Sequence, residues 1–255
     1  MNSIEKSIQI LNYLSHAEKS VGITELSSKL LFPKSTVHRI LKSLVNYSLV
    51  AQEKETSKYR LGLQILEYSN SFYNSFDFRQ IAKPFLKRIC SETGFTTFLT
   101  AWHNGRSICI DSLTPSRNVN TRLFVEIGKE MPFHCAASAK MLLSCQPSED
   151  IKRIVKEKTL PKYTSKTIVN PKKLEEHLLK IKHKGFSICN EEFEEGIKAI
   201  SVPVNDIYKD TVASITIVGL SRKISSSNIK KLIKILLNSS KELSGVLGYK
   251  RKNIL

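Results

Sequence analysis

Apolar residues recur at helical spacing at the start of the chain, where Ile4, Ile8, Leu11 and Leu14 predict an amphipathic first helix with Ser3 as its N-cap. After a break at Glu18–Gly22, Thr24 is placed to cap a short second helix whose inner side carries Leu26 and Leu30. Phe32-Pro33 ends that helix, because the residue before a proline is pushed out of the α region. A third helix opens at Lys34 or Ser35, with Val37, Ile40, Leu41 and Leu44 as its apolar stripe. The runs Leu49–Gln52 and Lys58–Gly62 flank the polar turn Glu53–Ser57 and predict a β-hairpin. Three short helices, a tight second connection and a hairpin make a winged helix-turn-helix.

Beyond it, Leu63–Ser75 is helical in pattern, and Phe78–Thr93 is a further amphipathic helix ending at Gly94. Two β-rich runs, Thr96–Trp102 and Ser107–Ser112, are separated by a segment containing Asn104-Gly105, a strong hairpin signal. Val119–Glu126 predicts a third strand, followed by helices near Cys135–Ser144, Ser148–Lys158 and Pro171–His183. The last of these has Asn170 to cap it, Pro171 at N1 and Gly185 to end it. Strands return at Phe186–Cys189, Ile197–Val204 and Thr211–Leu220, before a final helix from about Ser227 to Leu247. The fold class is α+β: a DNA-binding domain over residues 1–62, a linker helix over 63–76, and a second domain with a mainly antiparallel sheet over 77–250.

Composition narrows the function. The 255 residues are 41% hydrophobic and hold no apolar run of the length that spans a bilayer, so no membrane is expected. The N-terminus carries Glu5 among its apolar positions and does not read as a signal peptide; five scattered cysteines without CxxC spacing read as reduced thiols in the cytoplasm. The net charge of +17 is a weak pointer, because residues 1–75 hold nine basic side chains against six acids and most of the excess lies further on. Local distribution says more: from Ser27 to Gln52 there is no acid, while Lys29, Lys34, His38, Arg39 and Lys42 fall inside. That is what a phosphate-facing surface requires. On the polar face of the third helix, Arg39 is the candidate for bidentate guanine contact, with His38 beside it. Lys34 and Lys42 are candidate phosphate contacts, and Ser35 and Thr36 stand at the helix N-terminus where phosphate is favoured. Lys58 adds a cation on the wing.

The run from Gly22 to Gly62, and most specifically Pro33-Lys34-Ser35-Thr36-Val37-His38-Arg39, resembles the winged helix-turn-helix of the IclR (isocitrate lyase regulator) family. One departure is Leu31 in the tight turn, where the family has Gly; a left-handed backbone there costs Leu on the order of 1 kcal/mol. Met131–Lys140 resembles the family's effector-domain motif, with Ala139 in place of a usual Gly, and Glu191–Val204 resembles a second signature. The resemblance implies a GAF-like effector domain, a homodimer through the DNA-binding half that is often built into a tetramer, and no cofactor. It implies a repressor on a roughly palindromic operator in double-stranded DNA, released or recruited by a small organic or sugar-derived acid.

The helix opening near Cys135–Ala137 offers free N–H groups to an anion. The family's pocket, carried over by position, falls on Leu123, Met131, Ala137, Ser138, Cys189, Ile197, Ala199, Thr216 and Val218, with Ser138 and Thr216 as hydrogen-bonding members. The acids Glu191–Glu195 read as a solvated loop beside that pocket, with Lys198 as a candidate partner. His134, Cys135 and Cys189 form the rival constellation, a metal- or redox-responsive site, although their spacing is no metal signature. An enzyme is not expected: His134-Cys135 lacks an orienting third partner, and no phosphate-binding glycine loop exists.

Overall fold

The computed structural model describes residues 2–75, 77–115 and 125–249, and the chain divides into two compact units after Asp77. In the first, α1 (Ser3–His16) starts on a capping box: Asn2 Oδ1 accepts from the Glu5 N–H at 2.9 Å, and Glu5 Oε2 accepts from the Asn2 N–H at 2.9 Å. Asn2, not Ser3, is therefore the cap, since the reciprocal pair satisfies two N–H groups that Ser3 cannot reach. The buried arc also departs in part from the expected stripe. Leu14 is buried and Leu11 packs partly against the core as expected, but Ile10 takes the other buried place, whereas Ile4 and Ile8 are 71% and 51% exposed.

Helix α2 (Ile23–Leu30) begins after Gly22, not at Thr24. The cause is long-range: Val21 and Tyr59 exchange backbone hydrogen bonds of 2.9 Å, so the chain leaves a β-bridge and turns at once into helix. Leu31 caps α2 in the left-handed region at φ 57° and ψ 39°, with its side chain 88% exposed. The Ser27 carbonyl accepts from the N–H groups of Leu31 and Phe32, and the Ser27 hydroxyl donates to the Phe32 carbonyl at 2.6 Å. Helix α3 (Lys34–Asn46) follows with Pro33 as N-cap, and Val37, Ile40, Leu41 and Leu44 are all buried. Strands β1 (Val50–Gln52) and β2 (Tyr59–Leu61) form the antiparallel wing. Gly62 is obligatory at its base, because a Cβ there would stand 2.1 Å from the Ser48 carbonyl oxygen. Helix α4 (Gln64–Ser75) continues from it.

The second unit opens with α5 (Asp77–Thr93), which ends at Gly94 with φ 71°. Its sheet contains β3 (Thr96–His103), β4 (Arg106–Leu113), β5 (Ser187–Asn190), β6 (Ile197–Asn205) and β7 (Thr211–Leu220). Their order is β4-β3-β7-β6-β5, and each neighbouring pair is antiparallel. Asn104 and Gly105 turn the first hairpin with φ of 48° and 73°, the primed geometry that an Asn-Gly pair favours. Helix α6 (Ala137–Ser144) packs on this sheet, with α8 (Pro171–Lys184) against α6 and α7 (Ser148–Glu157) against α8. Asn170 caps α8 by accepting from the Lys173 N–H at 3.0 Å, and Gly185 ends it at φ 73°. Helix α9 (Ile229–Val246) packs on β6 and β7. The strand expected over Val119–Glu126 falls on residues 119–124, outside those described, and on Val125 and Glu126, which are not in a strand.

Candidate functional sites

On α3, Ser35, His38, Arg39 and Lys42 are exposed at i, i+3, i+4 and i+7, so they form one stripe opposite the buried face. Lys34 is exposed in the first turn and Thr36 is half-buried. Pro33 supplies no side-chain cap, which leaves first-turn N–H groups and the positive end of the helix dipole open to an anion. Among the described residues, Lys34, Arg39, Lys42 and Lys58 form no ion pair, although the Glu53 carboxylate in the wing turn lies within electrostatic reach of Lys58. Lys58 lies in the wing turn just before β2. The sequence reading passed over two further exposed cations there, Lys54 at the tip and Arg60 on the strand. Arg60 was legible from alternation, since its neighbour Tyr59 is buried. The wing turn is held by Glu53, which accepts hydrogen bonds from the Ser20 and Thr56 hydroxyls; these bonds keep its carboxyl below the usual range.

In the second unit a cavity of about 130 Å³ opens between the start of α6, strands β3, β6 and β7, and the segments before Met131 and after Cys189. Met131, Ala137, Cys189, Ile197, Ala199 and Val218 line it, as do Phe98, Val125, Lys129, Ala136, Phe193 and Glu194, which the sequence reading did not select. Phe193 and Glu194 belong to the second signature and were within reach of the sequence; Phe98 and Lys129 were not, because only strand pairing brings them here. Ser138 and Thr216 are fully buried but do not line the cavity. The Thr216 hydroxyl donates to Ser201 Oγ at 2.9 Å, and among the described residues the Ser138 hydroxyl has no partner. Both were expected to meet a ligand; in the structure they are buried behind the described lining of the cavity. Leu123 lies outside the described residues.

Behind the cavity is an ion pair that the sequence reading missed. The Lys140 side chain is 0% exposed and donates to Glu192 Oε2 at 2.5 Å, to the Ile188 carbonyl at 3.0 Å and toward His177 Nε2 at 3.5 Å. The loop after β5 is therefore only in part a solvated acidic run: Glu194 and Glu195 are exposed, but Glu192 is buried and Glu191 pairs with Lys166 at 3.1 Å. Lys198 donates to the Ile224 carbonyl rather than to an acid. Thr164 and Thr167 donate to the Glu191 and Glu192 carbonyls at 2.7 Å each and fix the same loop. Burial, together with the Lys140 charge, pushes the His177 imidazole down to about 4.

The rival constellation does not assemble into a site. His134 directs Nε2 to the Pro161 carbonyl at 2.9 Å, and burial holds its imidazole below the ordinary range. Burial pushes the Cys135 thiol up to about 12 and the Cys189 thiol upward. Such thiols stay protonated, the reverse of what a nucleophile needs. Among the described residues no three His, Cys, Asp or Glu side chains are grouped to hold a metal ion.

With this geometry in hand, the comparisons are specific. The profile of the IclR helix-turn-helix domain matches residues 3–54, and that of the bacterial transcriptional regulator IclR C-terminal domain matches residues 71–245. The HTH-type transcriptional regulator KdgR of Dickeya chrysanthemi is 29% identical over 98% of this chain and 81% of its own length. The transcriptional repressor IclR of Escherichia coli is 24% identical over 97% of this chain and 90% of its own length. The crystal structure of the Thermotoga maritima IclR superimposes with a TM-score of 0.70 at 28% identity, over 98% of this chain and 100% of that one.

Proposed function

The chain belongs to the IclR family of bacterial transcriptional regulators, and on that premise we propose that it represses transcription as a homodimer whose grip on a roughly palindromic operator is set by a small organic acid. The observation that carries the reading is the exposed, acid-free stripe Ser35-His38-Arg39-Lys42 on a helix whose other face is buried. A helix of this kind enters the major groove, Arg39 reads a guanine edge, and Lys34, Lys42 and the wing Lys58 meet phosphates. Two such helices related by a two-fold axis reach half-sites about 34 Å apart. Apolar surface for pairing exists on the same unit, where Ile4, Ile8, Leu63 and Leu66 are each at least half exposed. Among the described residues no helix is long and apolar enough to cross a membrane, and we place the protein in the cytoplasm with its DNA.

The second unit supplies the sensor in this reading. The cavity lies against the first turn of α6, whose N-cap Ala136 gives no side-chain hydrogen bond, so the helix dipole adds a field that favours an anionic ligand in it. The ligand acts by its differential affinity for the operator-bound and free arrangements, with a coupling of about 1–3 kcal/mol. The test is fluorescence anisotropy on DNA from upstream of its own gene against a scrambled duplex, at two salt concentrations and with Arg39→Ala in parallel. Selective binding that Arg39→Ala weakens by about 1–3 kcal/mol, with relaxed specificity, is expected. Equal, salt-sensitive binding to both duplexes would refute the proposal of specific readout.

A further inference from the structure

The cavity's charge pattern restricts what can fill it. Its floor is apolar, built by Phe98, Met131, Ile197 and Val218, and among the described lining residues there is no hydroxyl or amide side chain. Two charged side chains of opposite sign, Lys129 and Glu194, complete the lining and are exposed at its mouth. They form no ion pair with each other, and among the described residues neither has a side-chain partner.

Three ligand classes can be weighed against that pattern. A polyhydroxylated acid would bury several hydroxyls against a floor whose described side chains offer no partner, with only the first turn of α6 to receive a polar group, and each unpaired group is costly. A plain carboxylate gains Lys129 but stands beside the unneutralised Glu194, and a plain amine meets the converse problem. A molecule with both charges on one end and an apolar body satisfies the mouth and the floor together. We propose that the effector is a zwitterionic α-amino acid with a compact aliphatic side chain, its carboxylate on Lys129, its ammonium on Glu194 and its side chain in the floor. This rests on the effector reading given above and narrows it from organic acids in general.

The experiment is isothermal titration of the full-length protein with L-leucine, 4-methylpentanoate (the same body without the ammonium), 3-methylbutylamine (without the carboxylate) and D-gluconate. Leucine is expected to bind roughly tenfold or more tighter than either truncated analogue, as for a charge-assisted hydrogen bond. Glu194→Gln should bring leucine down to the level of 4-methylpentanoate without weakening the latter. Lys129→Gln should bring it down to that of the amine. Both positions are exposed, so the variants should melt at the wild-type temperature. Binding of 4-methylpentanoate as tight as that of leucine, or of gluconate in place of leucine, overturns the zwitterion while leaving an effector site in place. If none of the four binds, the zwitterion is likewise overturned. An extract of small metabolites then decides on the site itself: operator release that cavity-filling Val218→Trp abolishes keeps it, and no release removes it.

Discussion

Leu31→Gly should stabilise the DNA-binding unit. Leu31 holds φ 57° and ψ 39°, a region where the Cβ of an L-residue crowds the following carbonyl, at a cost of about 1–2 kcal/mol. Glycine removes that cost but gives the unfolded chain more freedom, which offsets about 0.4–1 kcal/mol. Little burial is lost, because the Leu31 side chain is 88% exposed. The net gain is then about 0.5–1 kcal/mol, or roughly 2–8 °C for a unit of this size. Native-state hydrogen exchange reads it directly through the Phe32 amide, which donates to the Ser27 carbonyl at 3.1 Å. The single tryptophan, Trp102, lies on β3 in the other unit, so its unfolding transition should not move and serves as an internal control. Leu31→Asn, which tolerates the left-handed region, should fall between the two. If both variants leave protection unchanged or lower it, the strain argument is wrong and the leucine side chain contributes a contact of its own.

Three further outcomes follow from the same geometry. Lys140→Met leaves Glu192 buried without its cation and should cost about 3–5 kcal/mol, read by urea unfolding of Trp102 fluorescence, while adding Glu192→Leu should recover much of the loss. His177 titrates near 6.5 when unfolded but is held down to about 4 in the fold, so between those values the unfolded chain binds the extra proton. Its contribution, on the order of 2–3 kcal/mol, is therefore present above the upper value and lost as pH falls toward the lower one. His177→Gln should flatten that part of a stability-against-pH curve, leaving a smaller slope of the same sign from His134. Lys42→Ala should weaken binding to all duplexes alike and reduce the salt slope by about 1; discrimination between operators would reassign it to base contact.

What the sequence disclosed depended on the range of the interaction. Caps and turns are local, so Asn170, Pro171 and Gly185 on α8 and the Asn104-Gly105 hairpin were readable, as was the polar stripe of α3. Helix α1 was misread at its start, because Ile4 and Ile8 continue the apolar pattern of Leu11 and Leu14, and periodicity alone does not tell that Ile10 takes their place in the unit's own core. The start of α2 depends on the Val21–Tyr59 bridge, whose partners are far apart in sequence. Glu192 was read as part of a solvated loop and Lys140 only as the end of a motif, and only the packing of α6 against the loop after β5 buries them together. At the cavity, the signatures gave Cys189, Ile197 and Ala199, whereas Lys129 and Phe98 arrive through tertiary pairing that no local pattern encodes.

The most direct test of the account is selection of bound duplexes from a random-sequence pool by the full-length protein and by Arg39→Ala. The account predicts an enriched inverted repeat whose half-site centres lie about 10–10.5 base pairs apart, or a multiple of that. It also predicts that Arg39→Ala loses a guanine preference at one position in each half-site while the rest of the motif persists. An absence of any enriched motif, or an identical motif from both proteins, would contradict the assignment of α3 as the reading helix.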